Sequence, residues 1–329
     1  MSDNLEKLNL RMPAEWEPHK AVWLAWPYDK TTFGSLNQKD DKPDEGRIKR
    51  VEETFNKIIS ALKGSEEVNL ITKDQADYAD VWTRDYMPSF VKGQNGKISA
   101  VKWVYNAYGE KFSELLRDNN VWKKLNINSD VKTVEPNITM EAGAIDVNGE
   151  GVLLTTEQCL LARNGDMSKE KIENIFKEYL GVSKVIWLKN GLENDHTDGH
   201  IDELARFVAK NKIVCAYEDN TEEENFKTLD ENYNILKNAA DQDGKPFEII
   251  KLPMPHMVYD NGVKAPVSYA NFYISNKVVL VSTFNDANDA KAIEIIQSCF
   301  PDRKVIGIDC TDLIYGGGAI HCITQQEPL

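Results

Sequence analysis

Short apolar runs recur along this chain in pairs, and each pair is split by a turn carrying Asn, Gly or Lys. Phe90-Val91 is matched by Ile98-Ser99-Ala100-Val101 about Gly93-Gln94-Asn95-Gly96, and Ala144-Ile145-Asp146-Val147 by Val152-Leu153-Leu154 about Asn148-Gly149. The pattern returns in Ala205-Arg206-Phe207-Val208 with Ile213-Val214-Cys215 about Asn211-Lys212, and in Asn271-Phe272-Tyr273-Ile274 with Val278-Val279-Leu280-Val281 about Asn276. Runs of this kind predict β-hairpins, and turns roughly 50 to 65 residues apart are spaced like repeated supersecondary units.

The stretches between hairpins change period. Apolar residues at 48, 51, 55, 58, 59 and 62 have helical spacing and predict a helix over 47–63, ended by Lys63-Gly64. Residues 169–180 and 287–299 read the same way. A single strand follows each helix, at Val68–Ile71, Val185–Leu188 and Val305–Ile308. The unit is therefore hairpin, helix, strand, repeated about five times if the less regular N- and C-terminal portions combine into one. No Pro-, Gly- or Ser-rich linker divides the chain, so a single domain over 1–329 is expected, with solvated loops at 34–46 and 218–225.

Composition narrows the class. With 41% hydrophobic residues among 329, the chain can bury a large core. Its net charge of −14 disfavours nucleic acid or an anionic membrane as partner and suits a small cation. The five cysteines, at 159, 215, 299, 310 and 322, form no C-x-x-C pair, which argues against a disulfide framework or structural zinc site and for a reducing compartment. The first residues contain no apolar segment resembling a signal peptide, and a cytoplasmic location is expected.

The repeat also points to chemistry. At or just before a hairpin stand Asp85 in Trp82-Thr83-Arg84-Asp85-Tyr86-Met87-Pro88, Glu141 in Thr139-Met140-Glu141-Ala142-Gly143, and His200 and Asp202 in Asp198-Gly199-His200-Ile201-Asp202. Cys322 closes the set, at the end of Gly316-Gly317-Gly318-Ala319-Ile320-His321-Cys322, where glycines allow a tight bend and a close backbone approach. Pseudo-symmetric units would bring these positions to one centre. Each also has an ordinary alternative: a turn acid for Asp85, a solvent-facing edge for Glu141, a solvated element start for Asp202, a satisfied turn histidine for His200, and a buried core thiol for Cys322. If the chain is extended here, His200 and Asp202 share a face. His196 and His200 have a four-residue spacing that could bind zinc on a helix, but Gly199, Thr197 and Ile201 make a poor helix, so neither metal nor cofactor is expected.

A thiol among carboxylates suits a cationic electrophile rather than an acyl group, whose developing oxyanion the carboxylates would repel. A guanidinium matches carboxylate pairs in shape and charge. Two aspartates would orient its central carbon toward Cys322, His200 would protonate the departing ammonia, and water would then hydrolyse a thiouronium adduct. The bound cation would also help ionise a thiol whose ordinary pKa is about 8.5.

These four motifs, together with Met12-Pro13-Ala14-Glu15-Trp16-Glu17-Pro18-His19 and the tail Ile323-Thr324-Gln325-Gln326-Glu327-Pro328, resemble the agmatine deiminase and bacterial-type (Porphyromonas-type) peptidylarginine deiminase family of guanidine-modifying enzymes. The likeness runs from about residue 12 to the end. It implies a pentein-like, five-bladed α/β propeller with pseudo-fivefold symmetry, of α/β class, in agreement with the repeat. By motif, the resemblance makes Cys322 the nucleophile, His200 the general acid and base, Glu141 the partner of the histidine and guanidinium, and Asp85 and Asp202 the guanidinium clamps. Trp82 would pack on the substrate's aliphatic chain above Gly317 and Gly318. His196 stands where the family usually carries an acid near the distal amine, and Ala319 where an asparagine is common. The implied activity is deimination of agmatine to N-carbamoylputrescine and ammonia. Deimination of free, peptidyl or protein arginine, amidino transfer, and a non-enzymatic module binding cationic amines are the alternatives, and a homodimer or homotetramer is allowed.

Overall fold

The computed structural model describes residues 10–29, 32–33, 45–125, 131–259 and 262–329. Most of the loop expected at 34–46 lies outside them, and 218–225 is a loop as expected. Among the described residues, fifteen strands form five sheets of three. The first sheet contains β1 (His19–Ala25) and β2 (Glu67–Ile71). The next three contain β3 (Ser89–Lys92), β4 (Ile98–Val101) and β5 (Lys132–Val134); β6 (Asp146–Val147), β7 (Val152–Thr156) and β8 (Lys184–Leu188); and β9 (Ala205–Ala209), β10 (Lys212–Tyr217) and β11 (Glu248–Pro253). The fifth contains β12 (Tyr273–Ile274), β13 (Val278–Thr283) and β14 (Lys304–Asp309).

β15 (Gln325–Pro328) completes the first sheet by pairing antiparallel with β1, Trp23 opposite Gln325 and His19 opposite Pro328. The two chain ends thus share one blade, as the count of about five units required. In every blade the hairpin strands are antiparallel and the last strand runs parallel to the middle one. This is the five-bladed α/β propeller.

Parallel pairing needs a crossover, and the helices supply it. Helix Glu45–Leu62 joins β1 to β2 and buries Ile48, Val51, Phe55, Ile58 and Leu62, the periodic positions, in one apolar cluster with Val279, Leu280, Val281 and Ile296. Helix Lys169–Leu180 starts at Ser168, whose hydroxyl accepts from the Lys171 amide, and stops at Gly181 in the left-handed region. Helix Asp289–Cys299 begins two residues later than expected.

Burial falls from the first strand of each blade to the third. β6, β9 and β12 are buried almost throughout, whereas β2, β5, β11 and β14 are partly exposed. The first strands therefore face the centre, and the segments leading into them converge there. Outer strands β5 and β11 and helix Phe226–Asn238 carry weak apolar patterns because half their surface faces water, and the sequence reading missed them. Among the described residues, no helix is long and apolar enough to cross a membrane.

Candidate active site

Each predicted chemical residue sits in a short turn just before an innermost strand. Asp85 lies in the helical turn Thr83–Tyr86 leading to β3, and Glu141 begins the 3-10 turn Ala142–Ala144 leading to β6. His200 begins the 3-10 turn Ile201–Glu203, which contains Asp202 and leads to β9. Cys322 follows a 3-10 turn, Leu313–Gly316, and a bend at Gly317 with φ 99°, and leads to β15. All five side chains are buried, so the solvent-facing alternatives for Glu141 and Asp202 do not hold. His200 and Asp202 do not share the face of an extended strand: a 3-10 turn carries Asp202, and both side chains are buried.

Gly143 measures that convergence. A Cβ there would lie 2.6 Å from Nδ1 of His200, 2.9 Å from Oδ1 of Asp85 and 3.1 Å from Oδ2 of Asp202, so three blades meet at one hydrogen-sized gap. His200 Nδ1 is 3.8 Å from Oδ1 of Asp85, and its Nε2 is 3.4 Å from Oε2 of Glu141. Sγ of Cys322 lies 3.8 Å from Oδ2 of Asp202. The glycine loop forms the opposite wall. A Cβ on Gly318 would come within 2.7 Å of the Trp82 indole and 3.1 Å of Sγ, and one on Gly317 would collide with the His196 ring. Trp82 and Gly318 thus lie beside the thiol, and His196 sits against Gly317 and Phe112.

The charges interlock. Burial pushes the Asp85 carboxyl up to about 7, and Asp202 and Glu141 add to the rise against the pull of His200. Burial would depress His200, but Asp85, then Cys159 and Glu141, outweigh it and hold the imidazole pKa well above its ordinary value. Glu141 is held below the usual range because His200 and Arg163 overcome its desolvation, and Asp202 because His321 and His200 do. Burial and then the charges of Asp202, Glu203 and Asp85 push the Cys322 thiol well up. The thiol therefore faces a cluster of acids that disfavour its ionisation.

Several partners escaped the sequence reading. The Tyr108 hydroxyl donates to Oδ2 of Asp85 at 2.8 Å. Arg163 Nε donates to both Glu141 oxygens at 3.1 and 3.2 Å, and its Nη1 to Asp198 at 2.6 Å. His321, next to the thiol, bridges Oδ2 of Asp202 at 2.7 Å and Oε2 of Glu15 at 2.8 Å. His321 lay inside a quoted motif; Tyr108 and Arg163 carried no local signal.

Two buried trios could offer metal ligands within 4.8 Å of one another, Glu141 with Cys159 and His200, and Asp202 with Glu203 and Cys322. Arg163 already places a cation on Glu141 of the first. His196 belongs to neither, so the His196/His200 spacing does not assemble a ligand set among the described residues.

Known proteins resemble this chain over nearly its full length. The sequence profile of the Porphyromonas-type peptidyl-arginine deiminases matches residues 11–328. A relative from Legionella pneumophila, provisionally named an agmatine deiminase, is 34% identical, with 96% of this chain and 95% of the relative aligned. The agmatine deiminase of Enterococcus faecalis superposes with TM-score 0.88 at 31% identity, covering 97% of this chain and 96% of that one. The agmatine deiminase of C. jejuni, in a Cys-to-Ser form with substrate bound, gives 0.85 at 29%, covering 97% and 96%. A Pseudomonas aeruginosa DDAH, at 17% identity and TM-score 0.55, shares the fold alone. Motif order, five-bladed topology and full-length similarity agree: the chain belongs to the Porphyromonas-type peptidyl-arginine deiminase family.

Proposed function

We propose that this protein is a hydrolase that deiminates agmatine, releasing ammonia and N-carbamoylputrescine, a precursor of putrescine, through a covalent adduct on Cys322. The observation that carries the reading is a buried thiol whose near neighbours, Asp202, Glu203 and Asp85, are acids. Such a site repels anions and rewards a planar cation that can pair with several carboxylates. Full-length relatives named as agmatine deiminases support the choice of substrate.

Asp85 and Asp202 grip the guanidinium nitrogens, and Trp82 lies over the four-carbon chain. The incoming cation offsets the local negative charge, which lowers the thiol pKa so that the thiol gives its proton to solvent and becomes the thiolate. Sγ bonds to the guanidinium carbon; His200 in its protonated form, which its raised pKa favours, gives a proton to one nitrogen, and the C–N bond breaks to release ammonia. The neutral imidazole then takes a proton from water as the oxygen attacks the thiouronium carbon. The C–S bond breaks as the new hydroxyl loses its proton, leaving the carbamoyl product and a thiolate that takes up a proton to restore the resting thiol. Glu141 keeps the imidazole oriented through both halves.

Ammonia release from agmatine, free arginine and an arginyl peptide decides the substrate. Turnover of agmatine, and a mass increase on Cys322 in protein quenched during that turnover, are expected. Consumption of another guanidine with none of millimolar agmatine would overturn the assignment. Cys322→Ser should retain agmatine binding while losing several orders of magnitude in turnover.

A further inference from the structure

Four blades send Asp85, Glu141, the His200/Asp202 pair and Cys322 into the centre from the turns before their first strands. The remaining blade starts at β12, and the residue entering that strand's approach is Asn271, which is fully buried. Its amide orientation is unambiguous. Oδ1 accepts the backbone N–H of His321 at 2.9 Å, so Nδ2 must face the other way. There it donates to Sγ of Cys322 at 3.1 Å and to Oε1 of Glu203 at 2.7 Å.

We propose that Asn271 is a further catalytic residue, the fifth blade's contribution to the site, which holds the Cys322 sulfur in place and stabilises its thiolate by hydrogen bonding. The physical case rests on what else faces that atom. Asp85, Asp202 and Glu203 surround it, and each disfavours a second negative charge. The Asn271 amide is a neutral donor, its hydrogen bond strengthens as sulfur gains charge, and a hydrogen bond to a charged acceptor contributes more than a neutral one. Because the same side chain fixes the His321 amide, it also sets the backbone from which Sγ projects.

The inference rests on the reading of Cys322 as nucleophile, and the test does not require turnover. The pH dependence of Cys322 alkylation by iodoacetamide, followed by mass spectrometry, is compared between wild type and Asn271→Asp. The aspartate keeps an oxygen for the His321 N–H and turns a second one toward sulfur. The midpoint should rise by at least about one pH unit, alkylation at pH 8 should slow roughly tenfold, and kcat should fall far more than KM changes. Asn271→Ser, which adds no charge, is the second variant should the aspartate not fold, and the same upward direction is expected. An unshifted alkylation profile in either folded variant overturns the proposal. A shifted profile beside a wild type inert toward agmatine would count against the substrate and leave the Asn271 contact standing.

Discussion

Tyr108 presents its hydroxyl to Asp85 from a stretch of four residues with positive φ: Ala107 at 55°, Tyr108 at 61°, Gly109 at 82° and Glu110 at 65°. Three of them carry side chains, and each such residue costs about 1–2 kcal/mol relative to a right-handed turn. Strain of this kind persists where surrounding contacts over-determine it. Here Asn106 caps the Gly109 amide and the Tyr108 ring packs against Tyr105 and Phe112. The bent segment delivers a neutral donor to a carboxyl that burial has raised.

Tyr108→Phe removes that donor and leaves the ring. Because the hydrogen bond favours the ionised carboxyl, its loss raises the Asp85 pKa further. The acid limb of kcat/KM against pH should move to higher pH, and kcat/KM near neutrality should fall about tenfold. An unmoved limb would show that Asp85 does not govern binding.

Asp85→Asn should separate stability from activity. With a folded pKa of about 7, above the unfolded carboxyl value, the folded protein binds more protons between about pH 4 and pH 7. That stability is present at low pH and lost as pH rises through 7. The asparagine variant should therefore melt higher than wild type at pH 7.5, by a margin that shrinks at pH 4.5, while losing at least about a hundredfold in turnover. Melting curves at the two pH values check it.

Gly143→Ala places a methyl group against Nδ1 of His200 and Oδ1 of Asp85, both held by other blades. Neither can retreat as a flexible side-chain end could. We expect the folded variant to lose substrate binding, read as a rise in KM or in the dissociation constant measured with Cys322→Ser in the background.

Deleting residues 325–329 removes β15 and leaves β1 without its antiparallel neighbour. It also removes Glu327, which accepts from the Trp23 indole at 3.1 Å, and Gln325, which donates to the Pro88 carbonyl at 2.6 Å. Loss of soluble protein or of a cooperative melt is expected, together with loss of activity.

Much of this molecule is local and therefore legible in its sequence. Hairpin turns, helix periods and the Lys63-Gly64 helix end depend on residues a few positions apart, and they set the hairpin–helix–strand repeat from which five blades follow. Placing one chemical residue before each hairpin also marked Asp85, Glu141, His200, Asp202 and Cys322. Other contacts join segments far apart along the chain, within one blade or between two. Tyr108 meets Asp85 over 23 residues, Arg163 meets Glu141 over 22, and Asn271 meets Cys322 over 51. No periodicity reports such pairs, because they arise when separate turns converge on an axis that no single segment contains. The sequence by itself determined the repeat and the chemical types that could occupy its centre. Ring closure of β15 on β1, the 3-10 turns that aim the side chains, and the burial that sets each charge were decided by packing, since desolvation and the fields of neighbours exist only once the blades are assembled.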